Sequence, residues 1–102
     1  MHARFVLAVN PRFQHWNPAE APDNWEKTNY DVAEAYRFEY FRFFEEARAQ
    51  VGYPILNLLP AFQATKESPL IFRNDPRWNE RGNEFAAHVL VDELLKSGLI
   101  GR

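Results

Sequence analysis

Apolar residues gather in four stretches of the chain, and each stretch has its own rhythm. Residues 4–10, Arg-Phe-Val-Leu-Ala-Val-Asn, form an unbroken apolar run closed by Asn10-Pro11. Continuous rather than alternating apolarity is the pattern of a strand covered on both faces. Pro11 removes a backbone donor and ends the ladder. Over residues 30–51, Ala33, Tyr36, Tyr40, Phe44, Ala47 and Val51 recur at steps of three or four, which predicts a helix with one apolar face. Phe38, Phe41 and Phe43 widen that face beyond what one sheet needs. Thr28 or Asn29 can cap this helix and Asp31 suits its first turn. Gly52 offers a left-handed stop and Pro54 prevents continuation. Residues 53–59, Tyr-Pro-Ile-Leu-Asn-Leu-Leu, read as a second strand between Pro54 and Pro60. The last stretch, 80–97, is helical: Phe85, Ala86, Val89, Leu90, Val91, Leu94 and Leu95 supply its buried face. Asn79 is its N-cap, Glu80 its first-turn anion, and Gly98-Leu99 a Schellman stop.

Between these stretches the periodicity is lost. Residues 11–29 hold Pro11, Pro18 and Pro22 with Phe13, Trp16 and Trp25 embedded, and residues 60–79 run to Asp75-Pro76-Arg77-Trp78-Asn79. Both read as long ordered loops, a kind more often functional than idle. The predicted order is β-α-β-loop-α, with the two strands parallel and joined by a right-handed crossover. Two parallel strands and two helices are too little for a closed layered domain. The pattern therefore reads as a piece of a larger α/β protein, or as a chain that completes its sheet with a partner.

Composition narrows the function classes. The chain has 102 residues, 12 Lys and Arg against 14 Asp and Glu, and no Cys. That is one domain at most. A net charge of −2 gives no basic field for nucleic acid and no polybasic membrane signal. No apolar run approaches the roughly 20 residues of a membrane-spanning helix. The run after Met1-His2-Ala3-Arg4 is short for a signal-peptide core, and no small-residue cleavage site follows it. Without Cys there is no disulfide framework, thiolate nucleophile or iron–sulfur site. His2, His15 and His88 lie too far apart for a metal-ligand motif, and no cofactor is implied. Glu34, Glu39, Glu45 and Glu46 fall among Arg37, Arg42 and Arg48, which reads as helical ion pairing rather than paired-carboxylate catalysis. The aromatic share, 16%, fits either large core fillers or surface meant for another chain.

The segment with the most chemistry is Asp75-Pro76-Arg77-Trp78-Asn79-Glu80-Arg81-Gly82-Asn83-Glu84-Phe85-Ala86-Ala87. It resembles the end of many SGNH/GDSL-type serine hydrolases, Asp-x-His-x-Asn-x-x-Gly-x-x-x-x-Ala followed by an amphipathic helix. Asp75, Asn79, Gly82 and Ala87 stand at matching places, and Trp78 matches the subset in which Trp follows the His. Upstream, Asn10-Pro11-Arg12 after a strand, the aromatic-rich helix and Ile55-Leu56-Asn57-Leu58-Leu59-Pro60-Ala61-Phe62 resemble that family's order of strand, helix and Val-Leu-Asp-Leu-Leu-Pro-x-Phe. The resemblance covers nearly the whole of residues 1–102, read as a single partial domain, the C-terminal half of an SGNH fold. It implies part of a three-layer, flavodoxin-like α/β architecture with parallel strands. It also implies ester hydrolysis or acyl transfer, often on acetylated carbohydrates.

The departures from the pattern bear on function. The family's Gly-Asp-Ser nucleophile block and its oxyanion-hole Gly and Asn lie upstream of the matched region, and nothing here replaces them. Asp75 takes the triad-acid position, but Arg77 takes the position of the catalytic His. A guanidinium stays protonated and cannot accept a proton from a serine. The expectation is thus a domain portion inactive by itself, whose partner is a missing N-terminal half or a second copy of the chain. Two alternatives come from other classes. A carbohydrate- or anion-binding module would use Arg77, Trp78, Asn79 and Trp16, and a protein-interaction module would use the wide aromatic helix face.

Overall fold

A computed structural model describes residues 3–17, 19–26 and 36–101. Its elements are β1 (Leu7–Val9), α1 (Phe13–Trp16), α2 (Glu39–Ala47), β2 (Ile55–Asn57), α3 (Leu59–Ala64), β3 (Ile71–Phe72), β4 (Asp75–Trp78) and α4 (Glu80–Lys96). β1 and β2 pair in parallel, Leu7 opposite Ile55, Ala8 opposite Leu56 and Val9 opposite Asn57. β3 and β4 form a separate antiparallel hairpin. The chain is a mixed α/β protein. The two apolar runs pair as their sequence predicts, each shorter than the run that encodes it.

The first apolar cluster lies against the parallel pair. Val9, Ile55, Leu59 and Phe41 are buried, with Leu7, Tyr40, Phe44, Ala47 and Val51 against them. α2 spans only the second half of the predicted helix, and its expected cap and first turn lie outside the described residues. It ends at Ala47, before Gly52. Arg48 and Gln50 donate to Glu45 and Ala47 in tightened three-residue turns, and Gly52 keeps an ordinary φ. The wide aromatic face divides: Phe41 is buried, whereas Phe43 and Tyr36 are mostly exposed.

The region expected to be a loop after β2 is structured. Pro60 does not merely end a strand. It sits in the first turn of α3, where a missing N–H costs nothing, and the Asn57 side chain accepts from the Leu59 N–H at 3.0 Å. Asp75 and Arg77, expected on a loop, lie on β4. The β3–β4 register slips between Ile71 and Phe72, which accommodates Pro76, a residue without a ladder donor. In the first loop, α1 forms a single turn.

The second cluster joins these pieces to α4. Leu58, Phe62, Leu70 and Ala86 are buried, flanked by Trp16, Trp78, Phe85 and Val89. The start of α4 is fixed as its sequence predicts: Asn79 Oδ1 accepts from Gly82 N at 2.8 Å. Its end is a Schellman motif. Gly98, at φ 69°, donates to Leu95, and Leu99 donates to Leu94. The buried face of α4 is narrower than predicted. Gly82 and Ala86 are buried, but Val91 is exposed, and Leu90, Leu94 and Leu95 are only partly buried.

Candidate functional site

The carboxyl end of β1 and the strand β4 enclose an open cleft of about 450 Å³. Asn10, Pro11 and Arg12 form one wall, and Pro76, Arg77 and Trp78 the other, with Asn83 of α4 beside them. Open α/β sheets commonly bind ligands beyond the carboxyl ends of their strands, and the volume lies within the range of small-molecule sites.

The β1 wall is held by three groups from other parts of the chain. Tyr40 Oη donates to the Asn10 carbonyl at 2.7 Å. The Arg12 N–H donates to His15 Nδ1 at 2.9 Å, and the His15 N–H donates to the Arg12 carbonyl at 2.8 Å. The Arg12 Nε donates to Glu26 Oε1. Glu26 is 2% exposed. Its own N–H is tied to the Asn24 side chain at 3.0 Å. Burial among Phe38, Tyr40 and Phe41 holds the His15 imidazole below its ordinary pKa, so its protonated form is disfavoured. Burial likewise pushes the Tyr40 phenol up to about 12.

The β4 wall carries Asp75 and Arg77 two positions apart, on one side of the strand. The Arg77 guanidinium forks onto the carboxylate: Nε lies 2.9 Å from Oδ1 and Nη2 lies 2.7 Å from Oδ2. The Arg77 N–H adds a third bond to Oδ1 at 2.9 Å. These bonds hold the Asp75 carboxyl at about 2, well below the usual carboxylate range. The same pairing raises Arg77 above its already high value. Asp75 thus orients the side chain two residues on, and that side chain can donate hydrogen bonds but cannot remove a proton.

Of the residues singled out in the sequence, Arg77 and Trp78 line this cleft, and Asp75 sits beside it, bonded to Arg77. Trp78 shows one part to the cleft and stacks on Phe62 with ring centres 5.4 Å apart. Trp16 is placed elsewhere, against Phe62 in the second cluster. Asn79 is taken up by structure: besides capping α4 it donates to the carbonyls of Pro69 and Ile71 at 2.9 and 3.1 Å. His88 sits on the exposed face of α4 beside Glu84. Among the described residues, no group of His, Asp or Glu could hold a metal ion, and no helix is long and apolar enough to cross a membrane.

Sequence reasoning missed Arg12 and Asn83 as cleft residues, and Glu26 as the buried acid that holds Arg12. Asn10-Pro11-Arg12 was legible only as the end of a strand. Glu26 carries no local signal at all, being one acid in an aperiodic stretch whose burial depends on a contact 14 residues away. No protein-family model matches the chain, and neither a curated protein nor a solved structure matches it.

Proposed function

We propose that the chain is the C-terminal portion of an SGNH-hydrolase-like domain, whose complete form hydrolyses or transfers the acyl group of an ester. The supporting observation is the Asp75–Arg77 fork, with Arg77 on the cleft at the end of β1 and Asp75 on its far flank, followed at once by the Asn79-capped helix. In the family an Asp grips and orients the His two residues on. Here the same step is occupied by Arg77, so the acid is retained and the base is lost. In a complete relative a Ser would attack the acyl carbon, the His would take its proton, and backbone donors would hold the oxyanion. This chain supplies the acid and the turn into the last helix, and not the nucleophile.

A second reading is favoured by one specific feature. Among the described residues, no acidic residue lines the cleft, whereas Arg12 and Arg77 both do. The chain in that reading binds a carbohydrate or an anion without catalysis.

The test is acyl transfer in two settings. Alone, the chain should hydrolyse p-nitrophenyl acetate no faster than buffer. Mixed with a Gly-Asp-Ser-bearing N-terminal half of an SGNH domain, Arg77→His should give activity that the parent chain lacks. Equal activity from both, or turnover by the isolated chain that Asp75→Asn abolishes, would overturn the assignment of Arg77 to the base position.

A further inference from the structure

The cleft has a charge arrangement that the hydrolase reading does not use. Arg12 and Arg77 reach it from opposite walls, and each is backed by a carboxylate that does not line it. Glu26 is buried behind Arg12. Asp75 instead lines the neighbouring depression, with Phe72, Arg73 and Asn74, on the other flank of Arg77. Each pair therefore forms a dipole with its cationic end toward the cleft. Among the described residues the pairs also leave donors over. Arg12 bonds Glu26 through Nε, and Arg77 uses Nε and Nη2. A guanidinium has five N–H donors, and its planar fork matches carboxylate and phosphate oxygens.

The wall that carries Arg12 is fixed before any ligand arrives. Its backbone N–H and carbonyl are both bonded to His15, its Nε is bonded to Glu26, and the Asn10 carbonyl two residues before it accepts from Tyr40. Burying the Glu26 carboxylate is costly, and a half-exposed arginine repays that cost only in part. The return is a guanidinium held in one place, the preorganisation that lets a charged group bind without reordering. Pro11, Pro76 and the partly open Trp78 line the same cleft as the two arginines, apolar surface suited to the body of a small molecule.

We propose that this cleft binds a small organic oxyanion, its phosphate-monoester or carboxylate head on Arg12 and Arg77 and its apolar body on Trp78. The inference rests on the anion-binding reading of this cleft and names the ligand class; it requires no catalysis, and the test reads binding alone, so its failure leaves the hydrolase reading standing. Phenyl phosphate, benzoate and benzyl alcohol share one body and differ in the charge of the head. Titrated into the full chain, they are followed by NMR at the Trp78 indole N–H and the Asn83 side-chain amide. Phenyl phosphate should shift both signals and bind at least tenfold more tightly than benzyl alcohol, with benzoate between. Affinity should fall as salt is added. Arg77→Ala, at an exposed position that the fold does not need, should weaken phenyl phosphate at least tenfold. Arg12→Lys keeps a charge beside Glu26 but loses the fork, and should weaken it severalfold. Equal binding of the alcohol and the phosphate, an unchanged affinity in Arg77→Ala, or no shift at either signal would overturn the proposal.

Discussion

Both walls of the cleft hold a guanidinium on a carboxylate, but at opposite extremes of burial. On the β1 wall the acid, Glu26, has a side chain 3% exposed, and its arginine reaches it from half-open solvent. On the β4 wall the arginine side chain is 82% exposed and the acid lies at the surface. The first pair is part of how its wall is built. Glu26 Oε2 and Asn24 Nδ2 are buried with no hydrogen-bond partner among the described residues, so Arg12 carries most of the compensation. The second pair is an ornament on a wall held by other means: the Asn79 cap and the contact of Gly82 with Leu70. The same two residue types thus give a structural contact in one place and a chemical one in the other. Water decides which.

The largest effect expected from breaking either wall falls on the β4 side, at Gly82. A Cβ there would stand 2.0 Å from the Leu70 carbonyl oxygen and 2.9 Å from the Trp78 Cβ. That carbonyl already accepts from the Asn79 N–H at 2.9 Å, so it cannot retreat freely. Gly82→Ala should therefore cost about 3 kcal/mol, the upper end of overpacking, measured as a fall in the urea midpoint. A variant as stable as the parent would mean that α4 can move off the hairpin.

Arg12→Ala comes next. It strands the Glu26 carboxylate, and about 2–3 kcal/mol should be lost, less than for a fully buried pair because water already reaches Arg12. Glu26→Gln leaves no buried charge and should cost about 1 kcal/mol. The double variant should be more stable than Arg12→Ala alone. If the two single variants instead lose the same amount and the losses add, Glu26 is not held by Arg12, and the contrast between the walls disappears.

Asn79→Ala is the smaller test of the β4 wall, expected at about 1–2 kcal/mol for a lost N-cap whose side chain also bridges two carbonyls. This residue shows how unevenly the molecule could be read from its sequence. Asn79, Gly98 and the two parallel runs were legible because each acts through neighbours in the chain: a cap three residues ahead, a left-handed turn, an apolar rhythm. The hairpin was not. Asp75-Pro76-Arg77-Trp78 has neither alternation nor a β-rich composition, and it is a strand because Trp78 must reach Phe62 and Leu70. Pro60 misled for a related reason. Proline ends a strand and opens a helix equally well, and only the Asn57 side chain on the Leu59 N–H settles which it does. In the site, Asp75 and Arg77 were visible together because their contact spans two residues. Arg12 and Glu26 were not, since burial of an acid is a property of the assembled core.

The smallest effect on stability, and the sharpest on chemistry, belongs to Arg77→Gln. The guanidinium and the Arg77 N–H together keep the Asp75 carboxyl at about 2. Because the folded value is depressed, any stability the pair carries is complete above the ordinary carboxyl value near 3.8 and is lost as pH falls through about 2. At neutral pH Asp75 stays ionised in either variant. The exposed pair contributes little there, so the urea midpoint at pH 7 should not move. The carboxyl titration should move. Followed by the Asp75 side-chain carbon signal, the parent should titrate near 2, and Arg77→Gln should climb toward the ordinary value while keeping the backbone bond. An unchanged titration in Arg77→Gln would place the depression in the backbone bond alone. Asp75 would then grip no side chain, and the parallel with an Asp that orients a catalytic residue would lose its physical basis. A large fall in the urea midpoint would instead show that the pair holds its wall, as Arg12 and Glu26 do.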